Sequence, residues 1–356
     1  RQMCIRDRRS LAIAAGVLGG WALIQWNLFP EKILGLRAVT VAVPMGTFVN
    51  RDHFAASIEL LFPATLALAA GEGDEAMSYL TWGLPAALAL AAVVVSASRG
   101  GVGILGLELV SFFVWRRWRQ RAAVTAGQAR PGSSRRSEGR RWAWLAPLGL
   151  GVMLISFTVS AGYQRFLERF HESTLNQGER LRLDLSSLQM ALGHPLLGSG
   201  LGTWQLVYPR YASFDNGEVF GHAHSEYLEW LDETGILGVA LALAFGLALW
   251  RTWSSRPGLE AGLFVTALLP GEPALWALRT ALLGFALNAA TDFFVHIPAL
   301  AVTAAAVAGL ACGSPDASSR IPEPVSINGV RRRSAADRRQ SWAMQRSAVP
   351  HPRLHA

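Results

Sequence analysis

Long apolar segments separated by short polar stretches dominate the chain. Eight of them approach the ~20 residues that an α-helix needs to cross a bilayer. The alternating ~10-residue segments typical of a lipid-facing barrel are not found. This pattern predicts an all-α, polytopic transmembrane helical bundle of about 8 spans rather than the core of a large soluble protein. The predicted spans are Leu11–Phe29, Phe54–Ala70, Tyr79–Ala97, Val102–Trp115, Trp142–Gly162, Gly235–Trp250, Ala274–Ala290 and Ile297–Cys312.

The charged residues predict an orientation for these spans. The formal net charge is +8, and Lys32 is the single lysine, so the basic residues are almost all arginines. The arginines cluster between the fourth and fifth spans, after the sixth span, and in the C-terminal tail. Because basic loops stay on the cytoplasmic side, all three segments are predicted to be cytoplasmic. No aromatic or motif context accompanies the charges of the tail, so nucleic-acid binding is not expected.

This topology divides the chain into successive regions. The C-terminal region is rich in Pro, Ser and Arg and lacks apolar periodicity, which predicts a disordered tail. The first residues, RQMCIRDRR, contain no methionine at position 1, and we expect that the natural N-terminus is missing. The predicted regions are a cytoplasmic stub (1–10), spans one to five (11–162) with a basic cytoplasmic loop (116–141), a large, partly helical extracytoplasmic loop (163–234), spans six to eight (235–312) and a basic cytoplasmic tail (313–356).

Apart from the basic cytoplasmic segments, the notable polar residues near the ends of the predicted spans all fall on the extracytoplasmic side. The densest group is FGHAHSEYLEWLDETGILG (220–238), which places two histidines and several carboxylates at the start of the sixth span. Ionisable residues are costly to place beside a membrane and usually mark function, so we expect a site at the outer membrane interface. A transporter would instead hold such residues near the midplane, in broken helices related by a repeat, and no repeat is found. The other polar residues are Arg51, Asp52, His53, Arg99, Arg180, Asp292 and His296.

Several motifs, in this order along the chain, resemble the O-antigen ligase and polymerase superfamily of membrane glycosyltransferases. The segment that begins at His224 has the family's spacing of a histidine, a small polar residue, nine residues and GxxG (HS…GILG). Upstream, ERLRLDLSSLQMALGHPLLGSGLGTW is similar to an arginine-led helix ending in HPLxGxGxG, with Arg180 at the arginine position. SRGG around Arg99, GTFVNRDHFA and DFFVHIPA also match family segments, so the resemblance covers about residues 47–310.

The resemblance implies an enzyme that moves a glycan from undecaprenyl diphosphate to an acceptor hydroxyl on the outer face of the bacterial inner membrane. It implies His224 as the general base and Arg99 and Arg180 as the groups that bind the departing diphosphate. Histidine titrates near neutral pH, and the arginine fork binds phosphate in a bidentate manner. The implied reaction is a direct, metal-independent displacement with inversion at the anomeric carbon.

The resemblance also implies the partners. We expect an undecaprenyl-diphosphate-linked glycan donor, a lipid A-core or glycan acceptor, and the lipid bilayer, with no cofactor. Lipid A-core is the first expected acceptor. Polymerisation of repeat units and transfer of glycans to protein are alternatives within the family. A transporter without transferase activity is the alternative from another class.

At each candidate residue a structural interpretation competes with the functional one. His224 could cap or pack at the start of the sixth span, and Arg99 could extend to lipid headgroups, as arginines at helix ends do. His222 is expected either to bind substrate or to cap a helix. A metal bound by the two histidines with Glu226 or Asp232 is a further alternative, but no ligand spacing such as HExxH supports it, so no metal is expected.

The remaining substrate-binding candidates are less specific. Arg51 accompanies the other outer polar groups, and Asp292 and His296 are expected either to line the site or to support it. Trp204 could stack on a sugar or anchor at the interface. The glycines of GSGLG (198–202) are expected to form a backbone turn beneath the substrate, and most carboxylates of 220–238 are expected on a solvated face.

Two features depart from the family pattern. Asp184 stands where a tryptophan commonly follows the loop arginine by four residues. Family members also usually have about four more N-terminal spans than this chain is predicted to contain, which agrees with a missing N-terminus.

Overall fold

In its described part, the computed structural model consists mainly of α-helices. A short antiparallel hairpin of β1 (Lys32–Ile33) and β2 (Arg37–Ala38) follows the first helix. The structure describes residues 2–40, 42–70, 75–125, 145–161, 163–164, 167–168, 177–215, 217, 219–254 and 273–312. The helices are α1 (Gln2–Leu28), α2 (Arg51–Ala69), α3 (Glu75–Ser96), α4 (Arg99–Thr125), α5 (Leu145–Ala161), α6 (Gln177–Gly193), α7 (Trp204–Val207) with a 3₁₀ turn (Tyr208–Arg210), α8 (Glu226–Ser254), α9 (Pro273–Asn288) and α10 (Pro298–Cys312).

Each predicted span overlaps a helix, α1 to α5 for the first five and α8 to α10 for the last three. Within the described residues, Arg6–Leu28 of α1 and Glu226–Thr252 of α8 have the length and apolar composition to cross a membrane. Thr81–Ser96 and Pro298–Ala311 are shorter apolar helical stretches. The mostly helical fold is therefore confirmed, and the number of about eight spans stays a prediction.

Helix α2 lies at the centre of the bundle and contacts α1, α3, α4, α9 and α10. Nearly all of its residues are buried, as expected of a helix that is apolar on every face. The main core also contains the stacked rings of Trp115 and Trp276, whose centroids are 5.2 Å apart. At Gly19 of α1, an added Cβ would lie 2.8 Å from the backbone nitrogen of Ala89 in α3. Small residues of this kind let membrane helices approach closely.

The segment between α5 and α8 has its own apolar cluster. Leu183 and Met190 of α6 pack against Trp204, Tyr208 and Ala223. The rings of Trp204 and Tyr208 are stacked with centroids 4.4 Å apart. This cluster holds α6 against the segment that leads into α8, so the two elements bring their polar residues to one place.

A break in α8 receives the HPLLGSG segment (194–200) that follows α6. At the break, Gly235 has φ 62° and ψ −168°, a conformation that side chains with a Cβ rarely adopt. The N–H groups of Ser199 and Gly200 donate to the carbonyls of Asp232 and Glu233, at 2.8 and 3.0 Å. The glycines of GSGLG therefore allow the segment after α6 to dock closely on α8. The backbone turn expected at these glycines has this structural role.

Two helices extend beyond their predicted limits. Helix α1 begins at Gln2, within the predicted stub, and α4 continues to Thr125, within the predicted loop 116–141. Arg, Gln and Ala, which make up most of residues 116–125, are good helix formers, so the helix extends past its apolar part. The rest of that loop, residues 126–141, and the predicted tail at 313–356 lie outside the described residues.

Candidate active site

Three helices begin at one open cleft, and each carries an arginine in its first turn. Arg51 starts α2, Arg99 starts α4 and Arg180 lies in the first turn of α6, and all three line the cleft. Asp52, Asn288 and Asp292 also line it. Helix N-termini expose unpaired N–H groups and a positive dipole end. The cleft therefore combines the charges of arginine side chains with the positive ends of helix dipoles, and it is suited to bind an anion.

The turn before Arg99 is built by its neighbours. Ala97 adopts a left-handed backbone with φ 54°, and the hydroxyl of Ser98 accepts a 3.2 Å hydrogen bond from the N–H of Gly101. This is a side-chain cap of the kind that stabilises helix starts. A Cβ at Gly100 would lie 2.5 Å from the side-chain oxygen of Asn288. The glycines of SRGG thus permit close packing, while Ala97 makes the turn.

Arg51, which lines the cleft, has a buried side-chain nitrogen with no hydrogen bond among the described residues. Asn50 caps α2 by accepting a 2.9 Å hydrogen bond from the N–H of Asp52, and this fixes the position of Arg51 at the helix start. No acceptor among the described residues reaches Nη1 of Arg51. A buried donor without a partner costs about 1–3 kcal/mol, so this nitrogen is suited to donate a hydrogen bond to an oxyanion.

Arg180 has a carboxyl group close to it on the same helix. Asp184 follows one turn later and is half-buried. Burial raises the pKa of Asp184, and the nearby charges of Arg180 and His224 act in the opposite direction. The residue that departs from the family pattern is therefore near both the arginine and the histidine of the predicted site.

His224 lies beside the cleft and contacts Asp292, which the sequence separates from it by 68 residues. The distance from Nδ1 of His224 to Oδ1 of Asp292 is 3.0 Å. On its other side, Oδ2 of Asp292 is 3.7 Å from Nε2 of His53. Asp292 is almost fully buried, whereas about a third of the His224 side chain is exposed. One carboxylate therefore lies between two imidazoles, and only the His224 side is open.

The ionisation of Asp292 decides what His224 can do. Burial by itself would raise the pKa of Asp292, but the hydrogen bond and charge of His224, the charge of His53 and the N–H of Phe293 together lower it. An ionised carboxylate only accepts hydrogen bonds, so Nδ1 of His224 carries the proton. The lone pair of the neutral ring is then on Nε2, which is the arrangement required of a general base.

The second histidine, His222, contacts a different carboxylate. Its Nδ1 is 2.7 Å from Oε1 of Glu229, and the other oxygen of Glu229 accepts a 2.9 Å hydrogen bond from the N–H of Ala223. The ring of Phe293 stacks on His222 at 4.0 Å and meets His224 edge-on at 5.3 Å. His222 and His224 both precede α8, but His222 contacts Glu229 and His224 contacts Asp292. The ring of Phe293 lies between the two histidines.

His296 completes this second group. Its Nδ1 is 3.1 Å from Glu226 and its Nε2 is 3.6 Å from Glu229. The interaction with Glu226 raises the pKa of His296, in spite of the burial that would lower it. Ligand atoms of His222, Glu229 and His296 lie within 4.8 Å of one another. This donor set would suit a borderline metal such as zinc, and the same atoms already form ion pairs with each other.

The carboxylates of α8 are buried, so the expectation of a solvated face was wrong. Glu226, Glu229, Asp232 and Glu233 are between 0% and 4% exposed. Glu229 holds His222, and Glu226 accepts a 3.1 Å hydrogen bond from the N–H of Val295. Sequence spacing did not reveal these roles, because each partner lies on another element or in the turn before the helix.

Trp204 lies in the core and not in the cleft. It is 1% exposed, and its indole nitrogen donates to Asp232 at 3.1 Å. Its backbone N–H donates to Glu233 at 3.1 Å. A ring with this burial has no face for a sugar, so the structure assigns Trp204 to packing between α7 and α8.

The sequence interpretation missed ionisable residues inside the bundle. Glu59 of α2, Glu108 of α4 and Arg279 of α9 are each at most 1% exposed. Glu59 accepts a 2.7 Å hydrogen bond from the side chain of Asn288, which lines the cleft. A charge within an apolar segment is the signal that would have indicated Glu59, since such residues are usually functional or supportive.

Comparison with known proteins gives one family match. Residues 84–243 match the family described as O-antigen ligase, a segment that contains Arg99, Arg180, His222 and His224. No curated protein matches the chain. This match supports membership of the O-antigen ligase and polymerase superfamily, whose members are membrane-embedded, glycosyltransferase-type enzymes.

Proposed function

We propose that the cleft is the active site of an O-antigen ligase-like transferase. In this proposal the enzyme moves a glycan from undecaprenyl diphosphate to a hydroxyl of lipid A-core, on the periplasmic face of the bacterial inner membrane. The observation that carries the proposal is that three helix N-termini, each with an arginine, meet at one cleft beside the His224–Asp292 pair.

The arginines have the role of binding the donor diphosphate. Arg51, Arg99 and Arg180 line the same cleft, and guanidinium groups bind phosphate oxygens in a bidentate manner. As the bond between the anomeric carbon and the diphosphate oxygen breaks, negative charge grows on that oxygen. Positive groups already in place stabilise this charge without reorganisation. The buried Nη1 of Arg51, which has no hydrogen-bond acceptor among the described residues, supports this role.

His224 has the role of general base. Nε2 takes the proton of the acceptor hydroxyl while its oxygen attacks the anomeric carbon from the face opposite the diphosphate, which gives inversion. Asp292 holds the ring by its Nδ1–H and stabilises the positive charge that the ring gains. No metal takes part in these steps. Asp292 is a positioning residue here, and His53 supports it from the other side.

The topology belongs to the same proposal. About eight spans with both ends in the cytoplasm bring the cleft to the periplasmic surface, because the arginine-rich segments stay inside. The ring of Phe293 lies between His222 and His224, and the ring of His296 contacts that of His222. We assign His222 and His296 to the rim on the acceptor side, where they would orient the incoming sugar.

The test replaces His224 by Ala in the chromosomal gene. General bases contribute about 10²- to 10⁴-fold to rate, so attachment of long glycans to lipid A-core should fall by at least about 10²-fold. Attachment is measured by gel mobility of lipopolysaccharide at equal protein level. The matched control is His194→Ala, since His194 is an exposed histidine of the same extramembrane segment, and it should retain normal attachment.

The gel pattern also separates the related activities. Loss of ligation leaves lipid A-core without glycan while lipid-linked long chains accumulate. Loss of polymerisation would leave core that carries single repeat units, which would point to a polymerase instead. Normal attachment in His224→Ala at normal protein level would refute the enzymatic role of this histidine.

A further inference from the structure

Helix α6 has a second apolar face that the core does not use. Leu181, Leu185, Leu188 and Leu192 are spaced by four, three and four residues, which places them on one side of a helix. Their exposed fractions are 60%, 52%, 43% and 71%. We refer to these four residues as the leucine face. Contiguous exposed apolar surface on a folded protein marks an interaction site.

The leucine face is not the side by which α6 joins the protein. Leu183 and Met190 point the other way and are 1% and 0% exposed. They pack in the cluster of Trp204 and Tyr208. An ordinary amphipathic helix needs only one apolar stripe for its core, so the leucine face requires a separate explanation.

The surface around the leucine face continues onto a membrane helix. Leu196 and Leu197, just after α6, are 65% and 73% exposed. Their segment is bonded to α8, since the N–H of Leu237 donates to the carbonyl of Leu196 at 3.3 Å. Beyond this point α8 exposes its apolar side chains, with Leu241 at 72% and Phe245 at 66%. That part of α8 belongs to a stretch long and apolar enough to span a bilayer.

We propose that the leucine face lies in the lipid interface of the bilayer, with its side chains among the acyl chains at the end of α8. Interfacial helices bury such a face about 5–10 Å into the boundary between headgroups and acyl chains. Arg182 and Gln189 flank the leucine face on one side and are exposed. An arginine at this position can extend its charged end to the headgroups while its stem stays in apolar surroundings.

This arrangement would set the depth of the cleft. Arg180 lies on the same helix, one residue before Leu181, and lines the cleft. With the leucine face in the interface, Arg180 is at the depth of lipid phosphate groups. This consequence rests on the proposed function, in which the donor is a lipid diphosphate, whereas the insertion of α6 does not.

The test measures depth by spin labelling and is independent of activity. Single cysteines replace Leu185 or Leu188 in a full-length background with Cys4→Ser and Cys312→Ser, and the labelled protein is reconstituted in lipid vesicles. Collisions of the label with oxygen, which enters the bilayer, are compared with collisions with a water-soluble nickel chelate. Gln189→Cys is the matched control on the same helix. We expect the oxygen-to-nickel ratio at 185 and 188 to be several-fold higher than at 189.

Two other results would overturn the proposal. A ratio at 185 and 188 equal to that at 189 would mean that the leucine face is in water. Low collision with both reagents, together with dipolar broadening between labels, would mean that a second copy of the chain covers it. All three positions are exposed, and Leu181→Cys provides a second reading if one variant fails to fold. Loss of transferase activity without a change in the oxygen-to-nickel ratio would bear on the proposed function and would leave the insertion of α6 in the interface unaffected.

Discussion

At the scale of single residues, the backbone of His224 is the most informative detail of the site. Its φ of 52° is in the left-handed region, which costs a residue with a side chain about 1–3 kcal/mol. Such a conformation persists only when its surroundings enforce it. Here the N–H of Glu226 donates to the carbonyl of Ala289 at 2.9 Å, and Asp292 holds the ring. Contacts to the loop between α9 and α10 thus hold the imidazole against Asp292, which lines the cleft.

His296 gives a prediction about pH. Its raised pKa means that the protonated ring is stabilised in the folded protein by Glu226. This stabilisation is complete below the ordinary histidine pKa of ~6.5 and is lost as pH rises through the raised value. The melting temperature of the wild type should therefore exceed that of His296→Gln by about 2 °C near pH 6. The difference should disappear on the alkaline side of the raised pKa.

Thermal unfolding of the purified protein across this pH range measures the effect. His194→Gln removes an exposed histidine and should leave the pH dependence unchanged. A constant difference between wild type and His296→Gln at all pH values would contradict an ion pair with Glu226. It would indicate that the ring contributes by packing instead.

At the scale of elements, the break in α8 is the point at which the segment after α6 docks on that helix. Gly235 has a positive φ, and a Cβ there would lie 2.5 Å from the backbone of Leu196. We expect Gly235→Ala to destabilise the protein by more than about 2 kcal/mol, since it adds both strain and a clash. The melting temperature and glycan attachment should both fall, because the docking of α6 on α8 positions Arg180.

Gly246 offers a matched control within the same helix. It is helical, and a Cβ there would meet nothing within 4 Å. Because alanine favours helix over glycine, Gly246→Ala should be neutral or slightly stabilising. Equal melting temperatures for the two variants would show that the break does not depend on glycine.

The sequence predicted the helices well because long apolar segments are local features. The sequence shows the glycine spacing after His224 but not why Gly235 is needed. The close approach of Leu196 to Gly235 is a tertiary contact, which the sequence does not reveal. For the same reason the carboxylates of α8 were misread. Glu229 is polar in any window of the sequence, and only the fold shows that it is buried against His222.

At the scale of the whole molecule, the site is assembled from distant parts of the chain. The family match covers residues 84–243, yet Arg51 and Asp292 on either side of it also line the cleft. Glu59 joins these parts from within the bundle through Asn288. Motifs identified His224, Arg99 and Arg180 as candidates, whereas the pairing of His224 with Asp292 required the packing of α9 and α10 against α2.

The orientation of the whole molecule gives the last prediction. If the basic residues at the end of α4 are cytoplasmic and the segment after α7 is periplasmic, cysteines at the two places should react from opposite sides. Gln120 and Val219 are both exposed, Val219 at 97%. In a background of Cys4→Ser and Cys312→Ser, a membrane-impermeant maleimide applied to cells with an opened outer membrane should label Val219→Cys. Gln120→Cys should react only after the inner membrane is disrupted. Labelling of both cysteines before disruption would mean that an even number of spans separates them. That result would contradict the predicted topology and, with it, the periplasmic position of the cleft.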